Sequence, residues 1–519
     1  MLEIGRWLAL LTLILAAYSA VLAIAKDKIR LMFLRYSSGH AVVCGLGTKG
    51  LQIARDCLDR GKKVVIIEKN PYRDELEILM DRGAVVIHGN ATDSYVLRKA
   101  NVNNASALFA VTNDDHVNVD IAIRVYLAKG KGRLGTKLNA FVHIFDFTLK
   151  KLFKQHIVFR DTTDLFNARI FNIYETSARA ILNGYPPDRY TPVQGHEDPP
   201  VHILIIGFGR RGQSLLLQFC RICQYANGQT PFVTIIDPAA KEKVNRLKGK
   251  HEALDDIVRI RSFNGMGEDF LGGDAKYESL LLDVGAGNLS AVYVTAGKVS
   301  TGFDLAEQVR RKVSDRTEIV LCLPRDSCLS EPHAGLGPIG YHIFQMNEES
   351  CRVDTIQDES IDEMAKFYHQ EYATERKAAG ETIATNPNLV DWDSLDEEMK
   401  ESNRLEADHV PVKMRAIGCV VEDSTSPNAS FDFTKDRDKV ETLARMEHSR
   451  WFAERKMAGW TYGPGKKDPE KKTNPLLVPY EELPEGIKEE NRKAVRKIPA
   501  VLKLAGKKVT LQSPQIEIP

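Results

Sequence analysis

The chain has 519 residues, and its 71 Lys and Arg residues nearly balance 70 Asp and Glu residues, which gives a formal net charge of +1. This length predicts about three domains. The balanced charge gives no indication of a polyanion partner, so we expect no nucleic-acid binding. The eight cysteines follow neither a disulfide framework nor a zinc-ligand spacing. We therefore predict reduced thiols and no metal site.

The first predicted element is an uncharged stretch from Trp7 to Ala25. As a helix it would be about 28 Å long, which matches the hydrocarbon core of a bilayer. Basic residues are more frequent after this stretch than before it, so the positive-inside rule places the rest of the chain in the cytoplasm. Residues 1–37 thus predict a single-pass anchor in the cell membrane with a basic flank. The alternative is a signal peptide cleaved after Ala25.

A GxGxxG motif follows, with its glycines at Gly45, Gly47 and Gly50. It lies between a predicted strand at Ala41–Cys44 and a predicted helix. A second strand, 64–67, closes on Glu68. Glycines in this order let backbone N–H groups approach a pyrophosphate, and an acid at this spacing accepts hydrogen bonds from a ribose diol. Because an acid favours a 2′-hydroxyl over a 2′-phosphate, NAD(H) or an adenine nucleotide fits this site better than NADP.

Further strands are predicted at 84–88, 107–111 and 140–145, with helical stretches between them, so residues 38–185 predict a doubly wound parallel sheet. Residues 83–93 (GAVVIHGNATD) and 110–118 (AVTNDDHVN) resemble the TrkA-N, or RCK, domain of potassium channels and transporters. The resemblance implies regulatory binding of NAD(H) or adenine nucleotides, and dimerisation. It also implies ligand contacts at Asp114 and at Asn90, where the family usually has aspartate.

Five prolines within residues 183–200 predict a semi-rigid linker, which we place at 186–200. The same scheme then repeats over 201–350 as a second α/β domain. Its second GxGxxG and its acid are Gly207, Gly209, Gly212 and Asp237. Strands are predicted at 201–206, 232–236, 257–263, 291–295 and 318–323. The motif fits a second nucleotide site, where Arg210 and Arg211 would suit additional phosphate. It fits equally a degenerate domain that binds no nucleotide and keeps its glycines for helix–strand packing.

Catalysis of hydride transfer requires a proton donor beside the nicotinamide. The Tyr-x-x-x-Lys pattern occurs at Tyr95/Lys99, near the third strand, and at Tyr462/Lys466, where glycine and proline interrupt it. Neither placement suits a dehydrogenase. We therefore predict no catalytic residues and nucleotide binding without turnover.

The C-terminal part begins with a connecting helix predicted within 351–390, at 359–376. It then contains an internal repeat, in which WDSLDEEMKESNR (392–404) aligns without gaps to YEELPEGIKEENR (480–492). The segment between the copies and just after it resembles the ryanodine-receptor repeat (RyR) domain, over 391–512. The resembling residues are Glu447-His448-x-x-Trp451, Gly459-Trp460-x-Tyr462-Gly463 and Lys472-Thr473-Asn474-Pro475. The resemblance implies a small mainly α domain with a nucleotide-type ligand between tryptophans. It also implies sensing of nucleotide-derived signals, in phage defence.

The residues of this segment independently suggest a ligand pocket. Aromatic faces stack on a base, and basic side chains contact phosphate. The predicted ligand-binding residues are His448, Trp451, Arg455, Trp460, Tyr462 and Lys472. The alternative is that the tryptophans form the core of a small domain.

Together these features predict a membrane-anchored nucleotide sensor that regulates ion flux or membrane integrity. One helix cannot enclose a pathway, so we expect a homo-oligomer or a separate pore subunit. One alternative is a regulatory subunit of a potassium channel or transporter gated by NAD(H). The other is a membrane-bound NAD-dependent oxidoreductase.

Overall fold

The computed structural model describes residues 32–70, 74–130, 136–154, 156–160, 165–273, 289–295, 297–323, 340–346, 350–357 and 362–512, and also Trp7, Thr12, Leu13 and Leu15. Apart from these four positions, the predicted membrane helix lies outside the described residues. Among the residues that are described, no helix combines the length and the apolar character needed to cross a membrane. The described residues divide into two compact units. The first runs to Ile173 and includes Ser350–Gln357, and the second contains the remainder.

The first unit contains a six-stranded sheet with strand order β3-β2-β1-β4-β5-β6, in which all neighbouring pairs are parallel. The order reverses between β1 and β4, which makes a topological switch point at the carboxyl ends of these strands. Its strands are β1 (Ala41–Cys44), β2 (Val64–Glu68), β3 (Val85–His88), β4 (Ala107–Ala110), β5 (Leu138–His143) and β6 (Phe166–Phe171). The central strands are apolar and buried because helices cover both faces of a parallel sheet.

The helices of this unit are α1 (Thr48–Asp59), α2 (Asp74–Asp81), α3 (Ser94–Lys99), α4 (Asp115–Gly130), α5 (Phe147–Lys154), α6 (Ile157–Arg160) and the start of α7 (Ile173–Gly184). The chain returns to this unit later, at α13 (Val353–Gln357). There the N–H of Val353 donates to Asp56 Oδ2 at 2.7 Å, and Arg60 forms an ion pair with Asp354 at 3.0 Å. Part of the predicted connecting segment 351–390 therefore belongs to the first unit, ahead of the helix predicted at 359–376.

The second unit repeats this topology, with strand order β12-β11-β10-β7-β8-β9 and parallel pairing throughout. The strands are β7 (His202–Ile206), β8 (Phe232–Asp237), β9 (Arg259–Asn264), β10 (Ala291–Val294), β11 (Glu318–Leu323) and β12 (His342–Gln345). The helices are α8 (Arg210–Ile222), α9 (Ala240–Lys250), α10 (Leu254–Ile257), α11 (Gly267–Leu271) and α12 (Val299–Arg310). The prediction of two Rossmann-like parallel sheets is confirmed.

The last strand of each sheet was not predicted. Strand β6 places Asn167 and Arg169 among its apolar residues, and β12 begins with His342 and ends with Gln345. Both are edge strands, which are exposed on one side and therefore tolerate polar residues that hide them from an apolar-run criterion.

The Pro-rich segment 186–200 is packed within the second unit. Asp188 is buried and accepts from Arg415 Nε and Nη2, both at 2.7 Å, and Val193 is also buried. This segment is thus fixed by a buried ion pair.

The C-terminal part of this unit is mainly helical. Its helices are α14 (Glu363–Ala378), α15 (Glu397–Ala416), α16 (Arg437–Met457), α17 (Glu485–Arg496) and α18 (Ile498–Leu504). Its strands are β13 (Cys419–Asp423), β14 (Thr461–Tyr462), β15 (Thr473–Asn474) and β16 (Lys507–Leu511). It packs on the second sheet domain, where His409 Nε2 donates to the carbonyl of Gln224 at 2.9 Å and Lys456 pairs with Asp256 at 2.9 Å.

The internal repeat is much longer than the thirteen residues recognised in the sequence. Residues 385–423 align with 473–511 without a gap, and residues 362–382 align with 441–461. Each copy consists of a helix, a left-handed glycine, a 3₁₀ turn, helical residues interrupted by a proline, a second left-handed glycine and a strand. We call residues 362–423 the first copy and residues 441–511 the second copy.

Equivalent side chains make equivalent bonds in the two copies. His369 Nε2 donates to Val390 O at 2.7 Å, and His448 Nε2 donates to Val478 O at the same distance. Arg404 Nε donates to Asp362, and Arg492 Nε donates to Glu441, again at 2.7 Å in both.

The two copies meet through their final strands. Strands β13 and β16 pair antiparallel, with Cys419 opposite Leu511, Val421 opposite Val509 and Asp423 opposite Lys507. Because this register is symmetric about the Val421–Val509 pair, a local two-fold relates the paired strands.

Candidate functional site

The first glycine loop connects β1 to α1 at the switch point. Gly45 has φ +95°, and a Cβ on Gly50 would lie 1.9 Å from the carbonyl oxygen of Gly45, so this turn closes only with glycine at both positions. Gly47 caps α1 without a side-chain bond, and a Cβ there would meet only Asn113 Oδ1 at 3.8 Å. The loop therefore leaves an open approach to the N-terminus of α1, which is the arrangement that binds phosphate in this fold.

Glu68, at the end of β2, closes the loop from the other side. Its Oε2 accepts the N–H of Leu46 at 2.5 Å, and its Oε1 accepts the N–H of Asn70 at 2.9 Å. Each oxygen thus accepts one backbone N–H and has a further lone pair for a ligand hydroxyl. Glu68 is half-buried at this edge, where a ribose diol would lie.

Asn90 and Asp114 also lie at the carboxyl edge, because they follow the parallel strands β3 and β4. Both are exposed, and both side chains support local turns. Asn90 Oδ1 accepts the N–H of Thr92 at 3.1 Å. Asp114 Oδ1 accepts the N–H groups of His116 and Val117 at 2.9 and 3.3 Å, which caps α4.

Lys49 is a residue of this site that the sequence analysis did not select. It is only 4% exposed, and its Nζ lies 3.4 Å from Thr112 O and 3.4 Å from His143 Nδ1, at the ends of β4 and β5. A cation therefore lies beneath the glycine loop. The available signal was a lysine at the fifth motif position, where helix–sheet packing favours an apolar residue.

The second glycine loop has the same backbone. Gly207 has φ +92°, Gly209 caps α8, and a Cβ on Gly212 would lie 2.4 Å from Gly207 O. The N–H of Phe208 donates to Asp237 Oδ2 at 2.8 Å, as Leu46 does to Glu68.

Asp237 differs from Glu68 in how fully protein donors occupy it. It is 6% exposed, and Lys243 Nζ lies 2.6 Å from its Oδ1 and 2.8 Å from its Oδ2, while the N–H of Ala239 donates to Oδ1 at 2.9 Å. Burial acts to raise the pKa of Asp237, but the hydrogen bonds from Lys243, Ala239 and Phe208 outweigh it, so this pKa is lowered. With two donors on each oxygen, Asp237 has no free position for a ribose.

Arg210 and Arg211 are engaged within the second domain. Arg211 Nη1 donates to Cys322 O at 2.9 Å, and burial lowers its pKa. The guanidinium of Arg210 lies 6.0 Å from the ring centroid of Tyr174. Arg211 also lines a small, mainly apolar cavity together with Tyr174, Ser177, Ala178, Ile181, Leu215, Thr295, Cys322 and Met346.

The predicted ligand residues of the C-terminal domain fall into separate groups. His448 and Trp451 stack at 5.6 Å, and the bond from His448 to Val478 makes that histidine part of the packing. Lys472 Nζ donates to Ala458 O at 2.7 Å, and Tyr462 is 56% exposed.

Trp460 and Arg455 come together with Lys467, a residue that the sequence analysis did not single out. Trp460 is 5% exposed, and its ring centroid lies 5.8 Å from the Arg455 guanidinium and 5.2 Å from Lys467 Nζ. Its Nε1 finds no acceptor in the described part of the chain. A base could stack on this indole only if a cation moved aside.

No group of His, Cys, Asp or Glu suited to hold a metal ion occurs among the described residues.

Comparisons with known proteins identify two domains in the chain. Residues 41–140 match the family model of the TrkA-N domain, and residues 433–511 match that of the RyR domain. The chain therefore contains a TrkA-N domain and an RyR domain, as predicted.

Among curated proteins, a Trk system potassium uptake protein TrkA homolog of Pyrococcus abyssi is 36% identical over 116 residues, or 22% of this chain and 48% of its own length. The voltage-gated potassium channel Kch of Escherichia coli is 30% identical over 86 residues, or 16% of this chain and 21% of its own. This chain thus spans about half or less of these relatives. Among solved structures, GsuK bound to ADP is similar at 17% identity and a TM-score of 0.43, covering 63% of this chain and 71% of that chain.

Proposed function

We propose that this chain is a nucleotide-dependent regulator of potassium transport, and that its TrkA-N domain binds an adenine nucleotide or NAD(H) without converting it. The supporting observation is the open loop at Gly45–Gly50, closed by Glu68 with one protein donor on each carboxylate oxygen. The similarity to a TrkA potassium uptake protein supports potassium as the transported ion.

The proposal includes a route from ligand to membrane. Residues 7–25 anchor the chain in the membrane, and homo-oligomers or a pore subunit provide the conducting pathway. Nucleotide binding changes how subunits pack, and this change alters flux. Light scattering of the detergent-solubilised chain, with and without ligand, measures the oligomer.

The C-terminal RyR domain is, in this proposal, a second receptor for a nucleotide-type ligand, centred on Arg455 and Trp460. Both cations near the buried indole support an anionic ligand there. The physiological setting implied by the RyR resemblance is phage defence. A plating assay that compares the wild type with the Arg455→Gln variant measures it, and equal phage titres would exclude this role.

The decisive experiment compares two matched alanine variants by calorimetry of the full chain with ATP, ADP, NAD and NADH. Gly47→Ala adds a methyl that contacts no protein atom closer than 3.8 Å but covers the approach to α1, so we expect at least about a tenfold loss of affinity. Gly209→Ala, where a Cβ meets nothing within 4 Å, is the control and should bind as the wild type. Equal affinities in all three proteins would overturn the proposal.

Turnover and flux are tested separately. A steady absorbance change at 340 nm with a substrate would favour the oxidoreductase alternative. Potassium flux from reconstituted vesicles that depends on nucleotide in the wild type, and not in Gly47→Ala, would support regulation.

A further inference from the structure

The two repeat copies place equivalent residues around the end of their first helices. Glu381 follows the left-handed Gly380 in the first copy, and Trp460 follows the left-handed Gly459 in the second. The N–H of Glu381 donates to Arg376 O at 3.0 Å, and that of Trp460 donates to Arg455 O at 2.9 Å. Glu381 and Trp460 are therefore equivalent positions, as are the two arginines.

The same equivalence holds for an asparagine in the following turn. Asn386 Oδ1 accepts the N–H of Asn388 at 3.1 Å, and Asn474 Oδ1 accepts the N–H of Leu476 at 3.0 Å. Because each side-chain oxygen is fixed in an equivalent turn, the Nδ2 groups of Asn386 and Asn474 point in equivalent directions within their copies.

In the first copy these two donors hold a carboxylate. Asn386 Nδ2 donates to Glu381 Oε2 at 2.7 Å, and Arg376 Nη1 donates to Glu381 Oε1 at 3.4 Å. Asn386 Nδ2 also donates to the hydroxyl of Tyr372, at 3.0 Å. The fold of one copy thus has a place for an anionic group between an arginine and an asparagine.

The second copy keeps both donors but has a tryptophan, Trp460, at the position of the carboxylate. Asn474 is 5% exposed, and its Nδ2 donates to no residue in the described part of the chain. The Nε1 of Trp460 is also without an acceptor, and Lys467 adds a second cation near the indole. The buried Nε1 donor of Trp460, without an acceptor, is costly unless a ligand satisfies it.

Arg455 contacts two carboxylates, neither of which lies at the position equivalent to Glu381. Its Nη1 lies 3.4 Å from Glu398, whose side chain is 55% exposed, and its Nη2 lies 3.6 Å from Glu454. The Arg455 side chain is 11% exposed, against 43% for Arg376. The arginine of the second copy is therefore better enclosed, and an anion there would be less screened by solvent.

We infer that Arg455, Asn474, Trp460 and Lys467 form a site for the anionic group of a small ligand, a phosphate or a carboxylate. We infer also that Glu381 is a built-in occupant that closes the equivalent place in the first copy. This inference rests on the proposed second receptor. It identifies the anionic group of the ligand as the part that this receptor recognises.

The test uses the full chain carrying Gly47→Ala, in which the first glycine loop is expected to bind at least about tenfold more weakly. Calorimetry with ADP, adenosine, pyrophosphate and malonate should show binding of ADP and at least about tenfold weaker binding of adenosine. Pyrophosphate and malonate separate the two sources of charge, because the site favours phosphate if only pyrophosphate binds and carboxylate if only malonate does.

Two substitutions then address the site itself. Trp460→Glu reproduces the first copy and should fill the place with its own carboxylate, which lowers anion affinity by at least about tenfold. Arg455→Gln removes one donor and should have a similar effect on anion affinity, and the melting temperature of this variant shows whether it is folded. In the reverse direction, Glu381→Ala should open the first copy and raise the number of bound anions per chain.

The outcomes separate this inference from the proposed function. If the wild type binds ADP and Gly47→Ala removes all binding, the first receptor stands and this inference fails. If Gly47→Ala still binds ADP and Trp460→Glu abolishes it, the inference stands. Binding that neither Trp460→Glu nor Arg455→Gln weakens would overturn it, as would equal affinity for ADP and adenosine.

Discussion

The two glycine loops of this molecule share one backbone and differ in the acid that closes them. Glu68 accepts one N–H per oxygen, whereas Asp237 accepts two donors on each, including Lys243. Both loops need their third glycine, because a Cβ at Gly50 or Gly212 would overlap the carbonyl of the first glycine. A GxGxxG motif followed by an acid therefore specifies a strand–turn–helix unit, and the availability of the acid decides whether a ribose can bind.

The cation that distinguishes the second loop comes from the next helix. Lys243 lies six residues after Asp237, in α9, whereas the residue six positions after Glu68 is Asp74. An acid cannot form this ion pair. The comparison can be tested by changing the glycines, the acids and the lysine in turn.

The largest expected effect comes from the third glycines. Gly50→Ala should lower the free energy of unfolding by about 3 kcal/mol or more, because its methyl would lie 1.9 Å from a backbone oxygen. Gly212→Ala, at 2.4 Å, should cost less. Urea titration followed by circular dichroism measures both. A Gly50→Ala chain as stable as the wild type would refute the packing role of this glycine.

A second expected effect is a pH dependence of stability that arises in the second sheet and not in the first. Burial raises the pKa of Glu318 from its ordinary value of 4.5 to about 7, although Arg189 acts in the opposite direction. The folded state therefore resists ionisation, so stability should fall as pH rises from about 4.5 to 7. Glu318→Gln should remove this decline and add about 3 kcal/mol at pH 8.

The control for that experiment is the first sheet, where the equivalent strand β5 begins with Leu138. Leu138→Met should leave the pH dependence of unfolding unchanged. If Glu318→Gln unfolds with the same pH dependence as the wild type, the pKa of Glu318 in the folded state is not raised.

Substitution of the two acids, Asp237 and Glu68, should change different properties of the protein. Asp237→Asn should cost about 1–2 kcal/mol at pH 7, because it leaves Lys243 without its charged partner. Since the pKa of Asp237 is lowered, this contribution is present above about pH 4 and is lost as pH falls below it. Glu68→Gln should instead weaken nucleotide binding, measured by calorimetry, with little change in stability. Equal effects on binding from both variants would contradict the comparison.

The smallest expected effect is a gain of nucleotide binding at the second glycine loop. Lys243→Ala frees one acceptor position on each oxygen of Asp237, so the second loop should acquire nucleotide binding at least about tenfold weaker than that of the first. Calorimetry that compares Gly47→Ala with Gly47→Ala/Lys243→Ala measures this gain. If no binding appears, the protein donors on the Asp237 oxygens are not what prevents nucleotide binding at the second loop.

Much of the fold could be predicted from the sequence because buried parallel strands are short apolar runs between glycines and helices. Five strands of each sheet were placed within two residues of their observed ends. The edge strands β6 and β12 were missed because polar residues alternate in them or end them. The repeat was recognised only at 392–404. The preceding helices are offset by an insertion of nine residues, where the second copy carries 462–472 between Thr461 and Thr473, and the following residues 405–423 share only three identities with 493–511.

The ligand sites were less predictable than the fold. Gly45, Gly47, Gly50 and Glu68 were found from their spacing, because a tight turn and a ribose contact each restrict the residue type. Lys49, Lys467 and Asn474 were not, since their importance depends on neighbours that are distant in the chain or on a comparison of two copies. Trp460 was predicted as a stacking surface and is buried with cations near its ring.

The sequence by itself determined where the chain turns and which residue types can occupy those turns, because glycine geometry and apolar periodicity are local properties. Only the tertiary structure decided which polar groups are already satisfied. Hydrogen bonds and ion pairs such as Lys243 with Asp237, or Asn386 with Glu381, depend on side chains placed within ångströms of each other by packing. An acid or an amide identifies a possible site, and its remaining free donors and acceptors determine whether a ligand can use it.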